Sequence, residues 1–163
     1  MFYTATPQVG FGDYNNTVAA ADVAADTWYD IPNNGAGAFT NLGYLPDGVT
    51  ALMNTSTGAI DPTGLKLGDM LLIRNDFTIT PTINEALLDF QYSLGGGGSA
   101  YTLPKKSFRL SNGAGVADRI VTSTDFIYMG DANTRDNPIT LQVRCSAGFN
   151  INNAGSAIAV LRR

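Results

Sequence analysis

The chain has 163 residues, a length that fits one domain, or one domain with an arm, and that can bury a full core. Only 15% of residues are charged and the formal net charge is −4. The wet surface must therefore come from Thr, Ser, Asn and Gly, and non-specific nucleic-acid binding, which needs clustered Lys and Arg, is disfavoured. One cysteine excludes an internal disulfide framework, and no apolar run approaches the roughly 18 residues of a membrane span.

The opening MFYTATPQVGFGD has neither a basic nor an apolar segment of the secretory kind, so synthesis in a cytoplasm is expected. Residues 1–26 carry no amphipathic stripe. They read as an arm or weakly ordered strand ahead of a domain covering 27–163. Trp28, Tyr29 and Ile31 suggest a first short strand, stopped by Pro32-Asn33-Asn34-Gly35. Residues 36–46 predict one weak strand within a long loop, and 49–53 is a further strand candidate.

From residue 65 the pattern sharpens. Residues 70–80 read as a long strand with Leu71, Ile73, Phe77 and Ile79 on one parity; Asn75 interrupts that parity and suggests a bulge. Residues 86–94 alternate Leu88, Phe90, Tyr92 and Leu94 against Asp89, Gln91 and Ser93, which favours a strand over a helix capped at Asn84. Four glycines, 95–98, end it. Strands are then expected at 101–110, 119–129 and 139–145, the last with Cys145 on its apolar face as a small buried hydrophobe. The closing run 157–161 has no polar residue, which suits a strand covered on both sides, central in a sheet or buried between subunits. About eight or nine short strands with Gly, Asn, Asp and Pro turns predict an all-β, antiparallel sandwich or barrel.

No catalytic constellation accompanies these strands. The absence of histidine removes Ser-His-Asp and Cys-His nucleophiles, two-His metal sites and histidine acid–base roles together. Glu85 is the only glutamate, and most aspartates sit in turns, where Asp serves backbone hydrogen bonding. The run 95–99 lacks the Lys-Ser/Thr of a phosphate loop, and 112–115 lacks the third glycine of a dinucleotide fingerprint. The loop 131–137 lacks the glycine and glutamate of a calcium loop and reads as a turn. No catalytic, cofactor-binding or metal residue is expected, and the chain is not expected to be an enzyme.

The C-terminal series, a strand at 139–145, a turn-rich 146–155 and a strand at 156–161, resembles the last two strands of jelly rolls of the TNF/C1q type. The low charge and abundant Asn, Thr and Gly resemble structural proteins of tailed bacteriophages, among them head decoration (cement) proteins and fibre domains. That resemblance implies a jelly roll of about eight strands with an N-terminal arm, which assembles as a homotrimer on the major capsid protein. It implies no cofactor, no nucleic acid and no membrane partner. Its location would be the capsid surface of a virion assembled in the host cytoplasm. Ala157, Ile158, Ala159, Val160 and Leu161 are then expected near the subunit interface, and Phe2, Tyr3, Phe11 and Tyr14 at the capsid. The alternative is a tail- or head-fibre module that binds a host glycan or surface protein through loops 95–99, 113–118 and 131–137.

Overall fold

Alternating apolar side chains in successive segments are buried here between two sheets stacked on a shared core. The computed structural model describes residues 9–122 and 125–163. In chain order the strands are β1 (Val9–Asn15), β2 (Ala21–Val23), β3 (Tyr29–Asp30), β4 (Asn41–Tyr44), β5 (Met70–Pro81), β6 (Leu87–Leu94), β7 (Tyr101–Thr102), β8 (Lys106–Arg109), β9 (Asp118–Val121), β10 (Asp125–Tyr128), β11 (Thr140–Cys145) and β12 (Phe149–Leu161). A one-turn helix, α1 (Ala132–Arg135), lies between β10 and β11.

The larger sheet runs β10-β5-β12-β1-β4, with β2 on β12 and β9 on β5; the smaller runs β3-β11-β6-β7, with β8 also on β6. All pairings are antiparallel. If the minor strands β2, β4, β7 and β9 are set aside, the remaining eight, counted in chain order, stand 1-8-3-6 in one sheet and 2-7-4-5 in the other. That is jelly-roll connectivity. The inner faces meet at the core: Phe77 of β5 and Phe90 of β6 lie with ring centroids 6.4 Å apart, and Phe90 meets Tyr92 edge-on at 5.2 Å.

Several expectations shift. The described part of the segment read as an arm, residues 9–26, belongs to the sheet: β1 pairs with β12 over seven residues and β2 pairs with its start. Its inward positions are Gly10, Gly12 and Tyr14, so no apolar stripe marks it. A Cβ on Gly10 would stand 2.6 Å from the Tyr44 carbonyl and from Pro46, and only glycine permits that approach. Residues 49–53 are not a strand; Val49, Leu52 and Met53 are buried in a loop closed on itself by a bridge between Met53 and Ile60 and joined to the sandwich by one between Ile60 and Ile139. The expected strand 101–110 splits around Leu103-Pro104, because proline cannot donate to a ladder. The bulge lies in β12, between Asn153 and Gly155, and not at Asn75. Asn75 keeps its inward parity because Tyr92, Ser156 and Thr122 satisfy it. Finally, β12 begins eight residues ahead of 157 and takes in most of the expected connection.

Candidate interaction surface

Three strands of the larger sheet carry apolar residues on both parities: Met70 to Ile73 in β5, Phe126 to Tyr128 in β10 and Ala157 to Leu161 in β12. One parity fills the core. Leu71, Ile73, Ile127, Ile158 and Val160 are all buried there. The other parity must point away from the sandwich, since side chains alternate along a strand.

Register places those outward residues side by side. One row reads Tyr128, Met70, Leu161 and Val9; the next reads Phe126, Leu72, Ala159, Phe11 and Tyr44. Phe11 and Tyr44 stack with centroids 5.0 Å apart. Phe126 is 58% exposed, Tyr128 56%, Tyr44 59% and Val9 70%. Bulky rings thus stand at both margins, and the centre is floored by alanine methyls. Between Phe11 and Leu72 this leaves a trough of about 350 Å³ over Ala157 and Ala159, with Arg74 at its end. The third row, Arg74, Ala157, Asp13 and Asn41, returns to polar side chains and closes the patch.

The outer face of the smaller sheet has the opposite character. Asp89 accepts from Ser107 at 2.6 Å, Arg144 at 2.6 Å and Lys105 at 2.9 Å, and Arg144 covers the Trp28 ring at 4.9 Å. Gln91 donates to Gln142, which donates to Asp30. Burial alone would raise the Asp89 pKa, but the Ser107 hydroxyl, Arg144 and Lys105 outweigh it and hold the carboxyl at about 2. This face pairs its own charges and amides and exposes scattered apolar side chains such as Leu87; the contiguous apolar rows lie on the larger sheet.

The sequence-derived site residues divide along these lines. Of the closing run, Ala157, Ala159 and Leu161 face outward on the patch, whereas Ile158 and Val160 are fully buried core residues. Phe11 lies on the patch. Tyr14 is corrected: it is 1% exposed, and its hydroxyl oxygen accepts the Leu52 N–H at 2.6 Å inside the core, so no partner reaches it. Phe2 and Tyr3 lie outside the described residues. Sequence reading missed Met70, Leu72, Phe126, Tyr128, Val9 and Tyr44 as surface. The available signal was that 70–73 and 126–128, like 157–161, lack a polar parity.

The three loops offered for host recognition do not form one surface. Loops 95–99 and 131–137 are laced together, with the Gly96 N–H donating to Asn133 and the Asn133 amide to the Ser99 carbonyl. Loop 113–118 sits at the other end of β5, where the Gly115 N–H donates to the Pro81 carbonyl. Asp131 caps α1 by accepting the Thr134 N–H at 2.7 Å, and among the described residues no group of three or more His, Cys, Asp or Glu could hold a metal.

These features define a jelly-roll protein with one unpaired apolar sheet face. No family model matches the chain, and no curated protein matches it. Among solved structures it is similar to Eiger TNF from S. frugiperda, at 11% identity and TM-score 0.49, over 96% of this chain and 92% of that one. It is also similar to infectious bursal disease virus, Gx strain, at 10% identity and TM-score 0.43, over 96% of this chain and 32% of that one. The VP2 subviral particle of the same virus matches at 13% and 0.40, over 98% and 33%. The chain thus spans about a third of the length of those viral chains. The fold assignment rests on strand order and register.

Proposed function

We propose that the chain is a non-enzymatic virion structural protein, a decoration (cement) protein that binds the head of a tailed bacteriophage as a homotrimer. The observation that carries this reading is the apolar outer face of the larger sheet. Five strands at about 4.8 Å spacing and two rows about 7 Å apart give a patch of roughly 300 Å². A contiguous patch of that size matches the largest apolar patch of an ordinary monomer, which is often functional.

Its shape favours one mode of self-association. Two such faces stacked on a two-fold axis would set ring margin on ring margin and leave a void between the alanine floors, which close-packed interfaces avoid. The β10 edge of a second copy, carrying Phe126 and Tyr128, fills the trough instead. That contact is heterologous, and it gives a closed ring where the rotation between copies is a third of a turn and an open filament where it does not close. The patch alone is smaller than the roughly 800 Å² per partner of a stable interface, so the entering edge must bury further area. Three copies on a symmetric capsid site then convert weak contacts into lasting attachment, with Phe2 and Tyr3 as the capsid-facing side chains.

Co-sedimentation with capsids lacking the protein tests the attachment: the full chain should pellet with them, and a chain lacking residues 1–8 should stay in the supernatant as an intact oligomer. Failure of the full chain to pellet would end the decoration reading. For the ring geometry, a Phe126→Cys, Ala159→Cys double variant should form intermolecular disulfides that neither single variant forms. Cross-linking by Phe126→Cys alone would indicate a two-fold contact instead.

A further inference from the structure

The buried polar groups of this sandwich are almost all paired, and the exception stands at a single place. Among the described residues, Asp125 Oδ2 is the only buried side-chain nitrogen or oxygen without a hydrogen-bond partner. Such an atom in a packed interior needs a reason, because an unmet acceptor there costs its full desolvation. The other carboxylate oxygen, Oδ1, is in direct contact with Lys106 Nζ.

The pair joins the two sheets. Lys106 opens β8, an edge strand of the smaller sheet, and Asp125 opens β10, an edge strand of the larger. The Asp125 side chain is 9% exposed, and the Phe90 ring lies 6.0 Å from Nζ. On the inner side the carboxylate neighbours the Tyr92 phenol. That phenol oxygen accepts from Asn75 Nδ2 at 2.7 Å, and Asn75 Oδ1 accepts from Ser156 Oγ at 2.7 Å. With its acceptor side engaged by Asn75, Tyr92 has its proton free to donate toward Asp125. Burial, and then the Asp125 charge, push the phenol pKa well up, so it stays protonated.

We propose that Lys106 and Asp125 condense to an amide, a covalent staple between the sheets. A proton passes from the Lys106 ammonium to the Asp125 carboxylate, leaving a neutral amine against a buried carboxylic acid. The amine lone pair forms the Nζ–Cγ bond while Tyr92 donates to the oxygen that gathers negative charge. The bond from Cγ to the other oxygen then breaks, and that oxygen leaves as water with two of the three original ammonium protons. One proton stays on the amide nitrogen, and nothing is oxidised or reduced. Reacting groups held in contact gain effective concentrations of about 10⁵ M or more, which is what lets an unactivated acid react. Lys106 remains 41% exposed, which gives the water a way out. The product keeps a single oxygen, and the Tyr92 hydroxyl is placed to serve it.

A neighbouring pair is a built-in control. Lys105 also meets a carboxylate, that of Asp89, but both Asp89 oxygens are satisfied by Ser107, Arg144 and Lys105. No condensation is expected there.

Intact-mass measurement on the denatured full chain tests the staple. The mass should fall below that calculated from the sequence by one water molecule, and a tryptic digest should yield a branched peptide joining the segments around Lys106 and Asp125. Lys106→Arg, which keeps the cation, should restore the calculated mass, as should Asp125→Ala. A wild-type chain at its full calculated mass, or a water loss that maps to other residues, overturns the inference.

Discussion

Tyr14 and Asp89 each hold a position through hydrogen bonds that single-atom changes can remove. The Tyr14 hydroxyl ties β1 to the loop that covers the open end of the core, through the Leu52 N–H. Tyr14→Phe leaves that N–H buried and unmet, and should lower unfolding free energy by about 1–3 kcal/mol, read from the denaturant midpoint. Asp89 acts through charge. Its folded pKa, about 2, lies below the ordinary 3.8, so its stabilisation is complete above about pH 4 and is lost as pH falls toward 2. The amount is at most about 2 kcal/mol, and less to the extent that water screens the half-exposed Lys105 and part-exposed Arg144. Asp89→Asn should therefore be less stable than wild type at neutral pH, with the gap closing by pH ~2. A gap that stayed constant with pH would show that the Asp89 ion pairs contribute nothing.

Strand β12 shows how one element serves two surfaces. Ile158 and Val160 are sealed in the core, while Ala157, Ala159 and Leu161 floor and border the outer patch. Placing an aspartate at Ile158 buries an unpaired charge, and the protein should fail to fold or lose several kcal/mol in thermal unfolding. The same strand marks where sequence reading works. Strands β6 and β11 were legible because one parity is apolar and the other polar, which fixes both the element and its inner face. The first half of β12, FNINNAGS, has little strand propensity; β5 on one side and β1 and β2 on the other impose its conformation. β1 was obscured in the same way, its inward positions being glycines. The patch itself was half legible. The run 157–161 pointed to a surface covered twice, but only register shows that 70–72 and 126–128 continue it across the sheet.

At the scale of the molecule, the two outer faces have different fates. The smaller sheet satisfies its own charges and amides and is suited to water. The larger presents rings at its margins around an alanine trough, an arrangement suited to the edge of another copy. We propose that this face closes the protein into a trimer, and Ala159→Arg is the most direct probe, since it fills the trough with a charge while its neighbours in the core stay untouched. Light scattering on the purified wild-type protein should give three times the 17.2 kDa chain mass, and Ala159→Arg should give one chain mass with an unchanged circular dichroism spectrum. A wild-type protein that runs as a monomer, or an Ala159→Arg variant that remains a trimer, contradicts the account.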